Sequence, residues 1–409
     1  MTGEPRPSLL ARFRMITIRT LEDLPLASGS RVFYRVDYNV PLEGTRITDA
    51  TRIEETLPTL RLLRDKGAAI VIASHLGRPK GERKEKYSLA PVRETLAALL
   101  GTDVQWADDC IGDDAAAKAA RLGAGEVLLV ENLRFHAGEE KNDAQFAAAL
   151  RRLADFYLND AFGASHRAHA SIDALPRLFP KEHTAGGLLL VRELEFLQKV
   201  TNIRQRPFVA LMGGAKIAGK IEPLEALVKL ADKVLIGGGM ANTFLAARGV
   251  PMGGSLVDKE SIDVALRIMQ GSHRAELVLP VDLVVSDSID STVTSAVDVA
   301  DGFKASEKAF DIGPETVKLY TSELKGAKLI FWNGPMGVFE KEPFAKGTTA
   351  MAAAVAQADA ITVVGGGESV EAVKASGFAD RITHISTGGG ASLELISGAS
   401  LPGVEVLRT

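Results

Sequence analysis

Short, continuous apolar runs recur along the chain with helical patterns between them. In the first half they are Val32–Val36, Ala69–Ala73, Val127–Val130 and Phe156–Leu158. In the second half they are Phe208–Met212, Val234–Ile236, Leu277–Leu279, Leu329–Trp332, Ile361–Val364 and Ile382–Ile385. Runs without polar alternation suit parallel strands covered on both faces. Between them, Leu89, Val92, Leu96, Leu99 and Leu100 fall at helical spacing after Ser88, a good N-cap. Phe146, Leu150 and Leu153 form another helical stripe after Asn142. Strand–helix alternation on this scale predicts an α/β protein with helices on both faces of each sheet. Val191, Leu194, Leu197 and Val200 repeat every three residues and predict a helix joining two domains.

With 409 residues the chain is long enough for two or three folding units. Hydrophobic residues are 46% and charged residues 24%, the balance of a globular protein rather than a disordered one. Lys plus Arg number 48 against 52 Asp plus Glu, a net charge of −4. Nothing global therefore attracts nucleic acid or an anionic membrane, and an anion site requires local clustering of basic residues. The single cysteine, Cys110, allows no internal disulfide and fits a reducing, cytoplasmic setting. No run approaches the roughly 18 apolar residues of a membrane helix. Residues 1–14 lack the apolar core of a signal peptide and are expected to be a disordered extension, with Met15 an alternative start.

The two halves differ in chemistry. Residues 1–200 hold 14 of the 39 glycines, and residues 201–409 hold the other 25. The first half concentrates basic residues just after its strands, where open parallel sheets bind ligands. Arg35-Val-Asp37-Tyr38-Asn39 places three polar groups on one side of an extended chain. By itself this motif reads equally as an Asp–Arg pair tying down a loop. Ser74-His75-Leu76-Gly77-Arg78, Glu131-Asn-Leu-Arg134-Phe-His136 and Asn159-Asp160…His166-Arg167-Ala-His169 follow the next three runs, and Arg52 precedes a helical segment. Like charges gathered on one rim repel, so the set makes sense around a polyanionic ligand.

In the second half, glycine-rich turns follow five runs: Gly213–Lys220, Gly237–Asn242, Asn333–Glu340, Gly365–Ser369 and Gly388–Ser392. Glycine allows backbone to approach a ligand, and helix N-termini offer free amides to phosphate. None matches a P-loop, and no G-x-G-x-x-G opens a first strand, so the pattern implies nucleotide binding by another scaffold. Lys216 and Lys220 are four apart and would share a face if that segment were helical.

RVDYNVP, SHLGRP, ENLRFH, HRAHAS, GGAK, GGGMANTFL, LPVDL, NGPMGVFE and STGGGAS, in order from about Met15 to the C-terminus, resemble the phosphoglycerate kinase family. The resemblance implies two α/β domains, each a doubly wound parallel sheet, over residues 15–187 and 205–392. It further implies a joining helix over 188–204 and a segment 393–409 that returns to the first domain. The implied reaction is reversible phosphoryl transfer from 1,3-bisphosphoglycerate to ADP, giving 3-phosphoglycerate and ATP, in line and on domain closure, with Mg²⁺ carried by the nucleotide. By matching motif, the triose ligands are Asp37, Tyr38, Asn39, Arg52, His75, Leu76, Gly77, Arg78, Arg134 and Arg167. The nucleotide contacts are Gly214, Ala215, Lys216, Lys220, Gly238, Gly313, Asn333, Pro335, Glu340, Gly366, Gly367, Glu368 and Ser369. Arg52, Lys216 and Gly389 are the implied catalytic residues, and a monomer is expected.

Two positions depart from the family pattern. Glu368 stands where the family usually has the aspartate that meets the metal, and Gly219 stands where an Asp or small polar residue usually precedes the second lysine. Two competing readings remain at this stage. Another acyl-phosphate kinase would not need so many cations on the triose side, and a catalytically inactive nucleotide-binding regulator would not need Lys216.

Overall fold

A computed structural model describes residues 15–409. Its chain divides within the helix Leu188–Thr201 into two units, Ile16–Glu195 with Ser400–Thr409, and Phe196–Ala399 together with Met15. The expected extension, residues 1–14, lies outside the described residues.

The first unit is built on six parallel strands in the order Gln105–Ala107, Val127–Val130, Ala69–Ala73, Arg31–Arg35, Phe156–Asn159, Thr184–Gly186. Arg35 is in register with Ala73 on one side and Asn159 on the other. The polar segments that follow these strands therefore emerge on one edge. The second unit repeats the plan in the order Glu276–Val278, Lys233–Ile236, Phe208–Met212, Leu329–Asn333, Ile361–Gly365, His384–Ile385, again all parallel. Met212, Ile236, Asn333 and Gly365 end in register, which stacks four glycine turns side by side. The central strands are buried along their whole length, as continuous apolar runs require.

Two strands and two small sheets escape the apolar-run criterion because they are short, lie at edges or carry polar residues. Gln105–Ala107 and Thr184–Gly186 are three-residue sheet edges. Asp282–Ser286 pairs antiparallel with Ser295–Asp298 and Lys308–Ile312, and Leu42–Glu43 pairs with Arg46–Ile47. The helix Ala90–Leu100 starts one residue later than a Ser88 cap implies, with Leu89 at the cap position. Ser88 still serves it, accepting the Ala90 N–H at 3.2 Å while donating to Glu131 at 2.7 Å. Gly101, in the left-handed region, ends that helix. Asp143 caps the helix Ala144–Arg151 by accepting the Phe146 N–H. Among the described residues no helix is long and apolar enough to cross a membrane.

The segment returning to the first unit begins at Ser400, because the preceding helix Gly389–Ile396 packs on the helix Ile221–Leu230 of the second. Gly403 donates to Ser165 O at 2.9 Å and accepts from Asn159 Nδ2 at 3.1 Å. Leu401, Val404 and Leu407 are buried. Each such side chain contributes about 1.5–3 kcal/mol on burial, a large part of the usual 5–15 kcal/mol stability of a domain. Deleting 401–409 should therefore lower the urea midpoint of the first unit, followed by Trp106 fluorescence in a Trp332→Phe background. The midpoint of the second unit, followed by Trp332 in a Trp106→Phe background, should not move. An unchanged Trp106 midpoint would show that the segment adds no stability.

Candidate active site

Arg35 ends the central strand of the first sheet with no solvent exposure. Its Nε donates to Ser171 Oγ at 2.8 Å, its Nη1 donates to Val36 O, and its Nη2 lies 3.3 Å from His75 Nδ1. Glu139, also fully buried, stands 3.8 Å from the guanidinium and accepts from Ser171 through both Oγ and N. The arginine is thus a fixed element of the rim. Two residues on, Asp37 pairs with Arg52 at 2.9 Å, not with Arg35, and lies 3.8 Å from His75 Nε2. Burial raises the Asp37 pKa, but the Arg52 and Arg35 guanidiniums and the Asn39 N–H outweigh it, and the carboxyl stays below its usual range. The arginine that the sequence placed before a helix sits inside a short one, Thr51–Glu54.

The turn after Ala69–Ala73 closes over this group. Asn39 Oδ1 accepts the Gly77 N–H at 2.8 Å, and Arg134 Nη1 donates to Gly77 O at 2.9 Å. Gly77 has φ +63°, and a Cβ there would meet the Tyr87 ring at 2.4 Å, so the turn requires glycine. Arg134 is buried, and its Nε lies 3.6 Å from Glu140, without a hydrogen-bond partner. Burial, then Arg35, lowers its pKa, and Arg167 acts in the same direction. His169 is buried with Nδ1 unpaired, and burial together with Arg134, Arg35, Arg167 and His166 depresses its pKa to about 3. His75 is likewise held well below the usual imidazole range, first by burial. Burial first, and the neighbouring arginines with it, keep both histidines neutral, and the arginines crowd one another on a single rim.

The structure brings Asp37, Asn39, Arg52, His75, Gly77, Arg134 and Arg167 to this rim. Arg78 is exposed on the same turn. Tyr38 and Leu76 differ: both side chains are in the core, Tyr38 hydrogen-bonded to Thr56 at 2.8 Å, so neither offers more than backbone to a ligand. Glu139, Ser171 and His169 have no place among the expected ligands. Their signal was the His166–His169 motif, and Glu139 gave none, since a lone glutamate in a helical segment looks solvated.

In the second unit the glycine turns line a cavity of about 280 Å³. Gly214, Ala215, Gly238 and Pro335 form its floor, and Glu340 and Glu368 stand on its border. Gly238 has φ +63°, and a Cβ there would lie 2.8 Å from Gly214 N and 2.9 Å from Pro335 O. Leu256, Leu283, Ile289, Phe310 and Val338 give apolar walls, several of them from the antiparallel sheet that the sequence pattern missed. Asp311 also lines it, its pKa raised to about 7 by burial despite the N–H groups of Gly347 and Ile312.

Several expected nucleotide contacts are placed elsewhere. Gly313 is packed against the Asp282 carboxyl, where it precedes the helix Pro314–Leu324; the cavity wall nearby is Ala309–Asp311. Asn333 spends its amide on Gly365 O at 2.8 Å, and Ser369 Oγ accepts the Gly334 N–H, so both brace the turns from behind. Lys216 and Lys220 share no helix face, because the helix starts at Ile221. Lys216 is exposed in the loop, whereas Lys220 is half-buried and donates to Gly213 O at 2.9 Å. Burial lowers the Lys220 pKa and Glu368 partly restores it, so the two are electrostatic neighbours. Gly366, Gly367 and Gly389 lie at the starts of the helices Gly367–Ala375 and Gly389–Ile396.

A side-chain anion site on one parallel sheet and a glycine-lined, apolar-walled cavity beside lysines on another define a phosphotransferase. The family model for phosphoglycerate kinase matches residues 21–399. Phosphoglycerate kinase of Moorella thermoacetica is 50% identical over 390 residues, covering 95% of this chain and 98% of that protein. The enzyme of Geobacter metallireducens is 48% identical over 396 residues, with coverage of 96% and 99%. The solved structure of phosphoglycerate kinase from Coxiella burnetii superposes with a TM-score of 0.86 at 36% identity, covering 96% of this chain and 99% of that one. The chain belongs to the phosphoglycerate kinase family. It is accordingly a nucleotide-binding glycolytic kinase, the first of the readings its sequence supports.

The neutral state of His169 can be measured. In the unfolded chain a histidine titrates near 6.5; here the folded value is about 3. Between these values the unfolded state binds more protons, so this group's contribution to stability is complete above about 6.5 and is lost as pH falls toward 3. Nitrogen-15 spectra of the unliganded protein should show the His169 ring neutral at pH 5. A midpoint near 6.5 would show that the surrounding arginines do not act on it.

Proposed function

We propose that the basic rim of the first unit holds the triose and that the cavity of the second holds the nucleotide. The observation that carries this reading is the cluster of Arg35, Arg134 and Arg167 around neutral histidines, with a buried Arg134 Nε that makes no hydrogen bond, Glu140 standing 3.6 Å away. An ordinary structural ion-pair network satisfies its donors. This one is completed by a phosphate and a carboxylate. Asp37 orients Arg52, and Asn39 and Arg134 fix the Gly77 turn, so the ligand meets donors already in place. His75 and His169, being neutral, supply hydrogen bonds rather than charge.

In the second unit the purine would lie against Leu256, Phe310 and Val338, with Glu340 accepting from ribose hydroxyls. The acceptor carboxylate is already ionised at neutral pH, so no general base is needed. Lys216, in the loop beside the cavity, would neutralise the equatorial oxygens of the transferring phosphoryl group, aided by amides that start the helices at Gly367 and Gly389. Glu368 fits a magnesium site: it is an exposed oxygen donor on the cavity border, next to Lys220. Magnesium characteristically takes one or two carboxylates plus substrate phosphates and would supply charge neutralisation there. Direct transfer requires reacting atoms within about 3–3.5 Å, so the two bound substrates must be brought together by closure. We further propose a cytoplasmic monomer acting on these small molecules alone, supported by a net charge of −4 and a single cysteine.

A coupled assay with 3-phosphoglycerate and MgATP tests the reading directly. Lys216→Ala should lower kcat by about 10²–10³ while the nucleotide Kd changes only a few fold, because its contact is made chiefly in the transition state. Near-normal kcat would remove it from the mechanism. Arg52→Ala and Arg167→Ala should each raise the KM for 3-phosphoglycerate by about 10–100-fold, the equivalent of 1.5–3 kcal/mol for a charge-assisted contact, and leave the KM for ATP nearly unchanged. Equal losses for both substrates would show that the division between the units is wrong.

A further inference from the structure

The loop after Gln105–Ala107 carries Asp109 and Cys110, and the turn after Val127–Val130 carries His136. The two strands are paired, Ala107 against Val130, so these side chains meet. A carboxylate oxygen, the thiol sulfur and an imidazole nitrogen lie within 4.8 Å of one another, the one such convergence of three ligand types among the described residues. Asp109 Oδ1 is 2.6 Å from His136 Nε2 and also accepts the Cys110 N–H at 2.6 Å. The His136 ring is held by stacking on Phe146, with centroids 5.3 Å apart. Cys110 is fully buried, whereas Asp109 and His136 are partly exposed to solvent.

The sulfur sits in a negative field. Burial raises the thiol pKa, and Asp109 and Glu139 push it further in the same direction. Such a thiol is inert toward oxidants yet well placed for a cation that neutralises the surrounding carboxylates. We propose that Asp109, Cys110 and His136 form a three-ligand site for a borderline-soft divalent cation of the zinc class, with solvent in the fourth position. The donor set of one oxygen, one nitrogen and one sulfur matches that class and not magnesium or calcium, which take oxygen alone. Tetrahedral zinc with its usual bond lengths separates donors by roughly 3.3–3.6 Å. The Asp109–His136 contact therefore opens by under about 1 Å as the cation takes the place of the hydrogen bond between them. Binding releases the thiol proton to solvent, the imidazole N–H shifts from Nε2 to Nδ1 so that the ring ligates as neutral imidazole, and no electron moves. The site is separate from the magnesium of the nucleotide. It joins two loops of the first unit, one of which carries Arg134 two residues before His136.

Cobalt(II), titrated alone into the full-length chain, serves as the spectroscopic probe for zinc. One equivalent should produce a thiolate-to-cobalt charge-transfer band in the ultraviolet and intense visible bands of a four-coordinate ion, both displaced by zinc. Cys110→Ser should abolish the charge-transfer band, and no other thiol exists to replace it. His136→Gln, at a partly exposed position, should weaken cobalt affinity at least tenfold with folding unchanged by circular dichroism. A wild-type protein without the charge-transfer band, a band that persists in Cys110→Ser, or His136→Gln binding as tightly as wild type would each overturn the proposal.

Discussion

A guanidinium without solvent at the end of the central strand is the constraint around which the first unit is organised. Burying a charge is costly unless it is paired and hydrogen-bonded. Arg35 is satisfied by groups from separate parts of the chain: Ser171 Oγ, Val36 O, His75 Nδ1 and, slightly farther off, Glu139. Glu139 in turn needs the N–H and hydroxyl of Ser171. Because Arg35 donates toward Nδ1 of His75, the ring proton resides on Nε2, which faces Asp37. Asp37 then sets Arg52. The orientation of the outer cations is thus inherited from one inner cation that no ligand needs to touch.

The second unit solves the complementary problem with backbone. Its strand ends are in register, so Gly213, Gly237, Gly334 and Gly366 emerge together, and side chains such as Asn333, Ser369 and Thr348 hold the turns from behind. Lys220 there is tied to Gly213 and close to Glu368. The floor of that unit's cavity is thus made of backbone, with the carboxylates of Asp311, Glu340 and Glu368 in its lining, whereas the rim of the first unit is made of cationic side chains.

Much of this was legible because burial on both faces leaves an unbroken apolar run. Ala69–Ala73, Phe208–Met212 and the C-terminal ends of their neighbours gave the sheets, and the polar residues just beyond gave the rim. Gln105–Ala107 and Ser295–Asp298 were not legible, since edge and solvent-facing strands carry ordinary surface residues. The same limit hid the apolar walls contributed by Leu283 and Phe310. Tyr38 and Gly313 show a different limit. Membership in a motif marks a residue as close to a site, but only packing reveals that Tyr38 points into the core and that Gly313 serves to admit Asp282. Lys216 and Lys220 show a third: spacing of four implies a shared face only where the backbone is helical, and here the helix has not begun.

The return of Ser400–Thr409 to the first unit has a consequence for how the molecule is made. Residues 16–195 leave the ribosome first, yet their unit stays unfinished until Ser400–Thr409 has also emerged, when Gly403 packs beside Ile172 and Ser165 and Leu401, Val404 and Leu407 are buried. Vectorial synthesis ordinarily lets the N-terminal domain fold first. In this topology the N-terminal unit waits for a segment made after the whole of 196–399, so its last gain in stability comes late in synthesis.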